Sequence, residues 1–167
     1  MDRRELKALA KINLGLDVLR RREDGYHEVR MIMQTIGLCD ELEIRKTKQP
    51  GIQVETNLYY LPTNENNLVY KAAQLLKDEF DLRDGIGIRL RKRIPVSAGM
   101  AGGSSDAAAV LWGMNQMYKL GLSRQELMDR GVKLGADVPY CVLRGTALAE
   151  GIGEKLSVLP PMPKCYI

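Results

Sequence analysis

Apolar and polar positions alternate through residues 6–19 and again through 29–38 (VRMIMQTIGL), two segments rich in β-branched and large apolar side chains. Between them stands Arg22-Glu23-Asp24-Gly25, whose Asp-Gly is a turn signal, so two strands joined by a loop are predicted. The alternation continues through 41–45 (ELEIR) and 52–56 (IQVET), separated by a Pro50-Gly51 turn. A meander of antiparallel strands accounts for this half of the chain most simply.

The period then changes. Leu68, Ala72, Leu75, Leu76 and Phe80 fall on one helical stripe, with Asn66 or Asn67 available as N-cap. Ile86, Ile88 and Leu90 restore the alternation of a strand that runs through Ile94 into Pro95. After the glycines at 99–103, Ala107, Val110, Leu111, Met114, Met117 and Tyr118 repeat at helical spacing, with Gly121 placed to end the run. Ser123 and Glu126 have the spacing of a capping box for a further helix that Gly135 would stop. Residues 140–149 (YCVLRGTALA) read as a final strand pair, and Lys164-Cys165-Tyr166-Ile167 as the beginning of another strand. The predicted class is α+β, a mixed or antiparallel sheet with helices packed on one side.

Composition narrows the classes of function. The 167 residues carry 25 Lys and Arg against 21 Asp and Glu, a net charge of +4 that mildly favours anionic partners. The basic runs Arg20 to Arg22 and Arg89 to Arg93 read as solvated faces or as phosphate contacts. Aromatic residues make up 5%, too few for the stacking platforms of a single-strand nucleic-acid binder, so nucleic acid is not the expected partner. Cys39, Cys141 and Cys165 are widely spaced and odd in number, which indicates neither a disulfide framework nor a zinc site and points to the cytosol. Charges at Glu5, Lys7 and Lys11 interrupt what a secretory signal would keep apolar. No apolar stretch approaches the ~18 residues of a membrane helix, so no membrane partner is expected.

The stretch richest in chemistry is Pro95-Val96-Ser97-Ala98-Gly99-Met100-Ala101-Gly102-Gly103-Ser104-Ser105, which opens into the alanine-rich start of a helix. Glycines and small neighbours let the backbone approach a ligand closely, and a helix N-terminus offers unpaired amides and the positive end of its dipole. Such an end binds phosphate, and Ser104 or Ser105 can offer a hydroxyl to a phosphate or a metal ion. No lysine follows the glycines, which disfavours a Walker loop, and the spacing is not that of a dinucleotide fingerprint. An ordinary strand-to-helix turn with a serine cap is the competing account of the same residues.

This loop resembles the ATP-phosphate loop of the GHMP kinases, whose members include galactokinase, homoserine kinase and mevalonate kinase. Ala10-Lys11-Ile12-Asn13-Leu14-Gly15-Leu16 and Asp24-Gly25-Tyr26-His27-Glu28 narrow the likeness to the branch that phosphorylates a cytidine diphosphate derivative in non-mevalonate isoprenoid synthesis. Gly135-Ala136-Asp137-Val138-Pro139, Gly145-Thr146-Ala147 and Gly151-Ile152-Gly153-Glu154 match the same pattern in the same order. Met100-Ala101 departs from it, standing where the family often has Leu-Gly. The resemblance implies a GHMP kinase N-terminal domain over 1–160, with 161–167 the start of a second domain cut short, and an exposed apolar face where that domain would pack. The substrates implied are ATP, with Mg²⁺, and the small cytidine diphosphate derivative, whose 2-hydroxyl receives the γ-phosphoryl group. By the same resemblance Asp137 is the catalytic base and Lys11 the cation beside it, Asn13 contacts the substrate, and Tyr26 and His27 hold the cytosine. Asn67 and Lys92 are carried over as adenine contacts, residues 95–105 as the phosphate loop, and Ser105 as a Mg²⁺ ligand. Three other readings stay open: a nucleic-acid module, since the fold also occurs in ribosomal proteins, a GHMP kinase for another small alcohol, and a nucleotide-binding fragment without activity.

Overall fold

The computed structural model describes residues 2–166. In chain order its elements are strands β1 (Arg3–Arg21), β2 (His27–Thr47) and β3 (Ile52–Thr56), helix α1 (Leu68–Glu79), strand β4 (Gly85–Arg91), helices α2 (Gly102–Tyr118), α3 (Arg124–Val132) and α4 (Val138–Leu143), and strands β5 (Thr146–Gly151) and β6 (Lys155–Val158).

The alternating first third of the chain builds one long antiparallel hairpin, from Arg3 opposite Arg45 to Arg21 opposite His27. Segments 29–38 and 41–45 are therefore a single strand. Its register slips where Leu9 faces Cys39 and Lys11 faces Thr35, so that Ile36, Gly37 and Leu38 of β2 oppose the single residue Ala10. A bulge of this kind bends a strand and sharpens its twist. It falls where β2 changes partner on its other edge: residues 41–47 pair with β4, residues 29–34 with β5. β3 lies parallel to β4 beyond it and β6 antiparallel to β5, giving a six-stranded sheet in which β2 joins two halves. The antiparallel meander is thus corrected: α1 carries the chain across from β3 to β4, and a crossover connection leaves the two strands parallel.

Along β2 the side chains alternate faces. Leu42 and Ile44 are buried under the helices, while Glu41 and Glu43 take part in ion pairs with Arg91, Arg93 and Arg3 on the open face. The basic run 89–93 belongs largely to that ladder, with Arg89 on Glu55 and Leu90 turned inward. Arg20 and Arg22 likewise pair with Glu28 and Asp24. α2 is apolar nearly all round because it lies between the sheet, α1 and α4. It approaches the sheet so closely that a methyl group at Gly113 would meet Leu6 Cδ1 at 2.4 Å.

Local signals predicted the helix starts well. Asn67 caps α1 by accepting from the Val69 amide at 3.0 Å, and Ser123 with Glu126 forms the capping box of α3. Residues 140–149 are not a strand pair: 138–143 form the short helix α4, and β5 pairs instead with β2 and β6. Residues 164–166 form no strand, and Ile167 lies outside the described residues. The far half of β1 carries no helix above it, leaving Leu14, Leu16, Val18 and Leu19 about half exposed.

Candidate active site

The chain after β4 is held by two side-chain anchors, the exposed Asn57 and the buried Asp40. Asn57 accepts from the Lys92 amide at 2.7 Å and donates to its carbonyl at 3.2 Å. Asp40, fully buried on β2, accepts from the Arg93 amide and, at 2.8 Å, from the Ile94 amide. Its other oxygen receives the Lys92 ammonium, which also reaches Asp106 Oδ2 on α2 at 2.8 Å. Burial works against the Lys92 charge, but the two carboxylates outweigh it and raise its pKa. Burial pushes the Asp106 carboxyl up to about 7 although Lys92 opposes the shift, and Asp106 Oδ1 is buried without a partner. One ammonium between two carboxylates thus fixes the segment that leads into the glycines.

From that fixed start the backbone curls through left-handed residues at alternate positions, Ser97 (φ 60°), Gly99 (φ 73°) and Ala101 (φ 54°). Reversals of this kind turn successive amides inward and make anion-binding concavities. Ala101 occupies the N-cap position of α2 without a side-chain cap, so the first amides of the helix face the cleft unclaimed. The cleft is about 460 Å³, and its wall is formed by Pro95 to Ser104 together with Leu61, Pro62, Asn66, Asn67 and Leu68 at the start of α1. Lys92, Asp106 and Asp137 complete the lining.

The structure therefore brings together, on one cleft, residues 95–104, Asn67, Lys92 and Asp137, which the sequence separates by up to 70 positions (137 − 67). Lys11 joins them from β1, its amide donating to the Met100 carbonyl of the loop at 3.1 Å and its ammonium to Asn13 Oδ1 at 3.1 Å. Asp137 precedes α4, yet its side chain makes no capping bond, which leaves the carboxylate free for the cleft. Cys141, one turn further on, reports the neighbourhood of both groups. Burial pushes its thiol up to about 12, with Asp137 adding to the rise and Lys11 opposing it.

Three expectations change. Ser105 does not line the cleft: it is 3% exposed and its hydroxyl donates to the Leu9 carbonyl at 2.7 Å, tying α2 to β1 instead of meeting a metal ion. Lys92 reaches the cleft wall, but its ammonium is committed to Asp40 and Asp106 and not offered to a base. Tyr26 and His27 stand apart at the exposed tip of the hairpin, where Asp24 accepts from the Tyr26 amide and pairs with Arg22. At about 3.3 Å per residue the tip lies on the order of 30 Å along the strand from Lys11. Asp40 and Asn57 are the residues that sequence reasoning missed. An aspartate inside an apolar strand, in the run Leu38-Cys39-Asp40, was the one available signal, because aspartate is depleted from strands.

Residues 67–145 match the family model of the GHMP kinases N terminal domain. The fold and the glycine loop agree with that match, and the chain carries a GHMP kinase N-terminal domain. More particularly, it is similar to 4-diphosphocytidyl-2-C-methyl-D-erythritol kinase. It is 63% identical over 166 residues to that enzyme of Lachnoclostridium phytofermentans, covering 99% of this chain and 57% of the relative. With that of Lachnospira eligens it shares 59% over 167 residues, 100% of this chain and 58% of the relative. A crystal structure of 4-(cytidine 5′-diphospho)-2C-methyl-D-erythritol kinase superposes with a TM-score of 0.81 at 40% identity, covering 93% of this chain and 55% of the other. Homoserine kinase from Cytophaga hutchinsonii, at 19% identity and a TM-score of 0.69 over 95% of this chain and 51% of the other, shares the fold. The chain thus spans little more than half the length of these relatives.

Proposed function

We propose that this chain is the nucleotide-binding and catalytic part of a kinase that transfers the γ-phosphoryl group of ATP to the 2-hydroxyl of 4-diphosphocytidyl-2-C-methyl-D-erythritol. The observation that carries the reading is the meeting of a left-handed glycine loop, the uncapped start of α2 and the uncommitted Asp137 carboxylate on a single cleft. Phosphoryl transfer needs little covalent chemistry from a protein: it needs the phosphates held, charge balanced and an acceptor for the hydroxyl proton. The amides of residues 97–104 and the α2 dipole hold the phosphates. Asn67 and Pro62 flank the space left for the base. Asp137 takes the hydroxyl proton, and the Lys11 ammonium polarises the hydroxyl. Asn13, hydrogen-bonded to Lys11, orients the acceptor.

Mg²⁺ fits the cleft chemically: Ser104 lines it with a hydroxyl for which no protein hydrogen bond is found among the described residues, and hard oxygen donors are what Mg²⁺ takes. Ser104 would hold it with phosphate oxygens and water, and the ion would supply charge neutralisation between the phosphates. Tyr26 and His27 are the cytosine contacts in this reading, supplied from the hairpin tip.

³¹P NMR of the chain with Mg-ATP and the cytidine diphosphate substrate tests the proposal. A new phosphomonoester resonance is expected, and Asp137→Asn should lower its rate of appearance by 10²-fold or more. No product from a chain that still binds ATP would overturn the activity, and an unchanged rate in Asp137→Asn would overturn the role of that carboxylate.

A further inference from the structure

Lys11 on β1 and Asp137 before α4 come from distant parts of the chain, and a hydroxyl network joins the residues beside them. Lys11 pairs with Thr35 across the β1–β2 ladder, so their side chains share a face of the sheet. Thr35 in turn meets the far end of α4. Its hydroxyl lies 3.0 Å from the Tyr140 hydroxyl and accepts from the Gly145 amide at 3.0 Å. Tyr140 donates to the Gly145 carbonyl at 2.6 Å, and the Thr35 amide donates to that same carbonyl at 3.0 Å.

The protons can be placed in one way only. The single phenolic proton of Tyr140 goes to the Gly145 carbonyl, so the contact between the two hydroxyls must use the proton of Thr35. Thr35 then donates to Tyr140, Tyr140 to the Gly145 carbonyl and the Gly145 amide back to Thr35, a closed ring with no lone pair competing for a donor. Tyr140 is 1% exposed, and burial lifts its pKa to about 12, which keeps the phenol a donor. The next residue before Gly145 shows how tightly the corner is drawn: Arg144 sits at φ 64°, ψ 178°, a region that side chains other than glycine's rarely adopt. Tyr140 stands three residues after Asp137, on the same side of the short helix.

We propose that Tyr140 and Thr35 are positioning residues of the reaction, a hydroxyl clamp that sets the distance between Asp137 and Lys11. Neither side chain touches substrate. A phenylalanine would fill the core at position 140 equally well, so the hydroxyl is kept for the ring it closes and not for packing. The clamp rests on the phosphoryl-transfer reading above, and its effect should appear in turnover and not in nucleotide binding, because the phosphate loop is held separately by Asp40 and Asn57.

The test compares Tyr140→Phe, Thr35→Val and Thr35→Ser in the full chain. Loss of one hydroxyl should lower kcat by roughly tenfold while KM for ATP stays within about twofold, and Thr35→Ser, which keeps the hydroxyl, should recover most of the loss. The double variant Tyr140→Phe with Thr35→Val should be about as slow as either single one, since the ring is already open. An unchanged kcat in Tyr140→Phe, or a fall in kcat matched by a rise in KM for ATP, would overturn the clamp. Should the unsubstituted chain form no product, the activity reading fails by itself, and amide exchange still decides the clamp. Tyr140→Phe is expected to speed exchange at Gly145 and Cys141 but not at Ser105, and equal rates at Gly145 in both proteins would sink it.

Discussion

The two ends of the candidate site are built in opposite ways. The glycine loop stands on buried charge: Asp40, Lys92 and Asp106 are each less than a tenth exposed, and Asn57 and Asp40 hold the backbone of 92–94 by four hydrogen bonds. The hairpin tip stands on local contacts alone, an Arg22–Asp24 pair and a tight turn, with Tyr26 59% exposed. Polyphosphate is the same in every nucleotide, and a rigid cradle suits it. A base ring at the tip would have to be met by side chains that nothing yet fixes.

That difference should show first at Asp40. Asp40→Ala strands the Lys92 ammonium beside a single carboxylate and frees two amides, and breaking a buried pair of this kind costs about 3–5 kcal/mol. Urea unfolding should therefore show a large fall in midpoint, and a variant as stable as the parent would mean that the charge cluster is not what supports the loop.

The next effect is in the response to pH. The Asp106 carboxyl is raised from the ordinary carboxylate range to about 7, so between roughly pH 4 and pH 7 the folded chain holds a proton that the unfolded chain releases. This contribution to stability is present at low pH and is lost as pH rises through about 7, on the order of a few kcal/mol in all. Asp106→Asn should flatten that part of the profile, measured as urea midpoints at pH 5 and pH 8. An identical slope in the two proteins would place the titration elsewhere.

The smallest effect belongs to the tip. Tyr26→Ala should change stability by no more than about 0.5 kcal/mol while raising KM for the cytidine substrate and leaving KM for ATP alone. A large loss of stability there would erase the contrast between the two ends.

What could be read in the sequence follows the range of the forces involved. The starts of α1 and α3 were legible because Asn67 and the Ser123–Glu126 box act within three residues. The glycine loop was legible for the same reason, its left-handed turns and the helix it opens being neighbours in the chain. The parallel pairing of β3 with β4 was not, because a crossover through α1 is decided by packing and leaves no mark on either strand's alternation. Residues 138–143 misled because a short apolar run such as Val138-Pro139-Tyr140-Cys141 carries no period of its own. Lys92 was carried over as an adenine contact, and its place between two carboxylates was not legible because those partners stand 52 and 14 residues away.

Strand β2 has a consequence for the order in which this chain can fold. Its two halves serve as the template for both parts of the sheet, and among the described residues the hairpin it makes with β1 is the only pairing of β2 that is local in sequence. β5 must find β2 across a separation such as the 112 residues between Gln34 and Thr146. Closing a loop of that size is slow compared with forming a hairpin, which takes on the order of microseconds. The β1–β2 hairpin is thus placed to form early, whereas the clamp joins Thr35 to Tyr140 and Gly145 across 105 and 110 positions of chain. The geometry proposed for the chemistry therefore rests on contacts that span most of the chain, and not on the local hairpin.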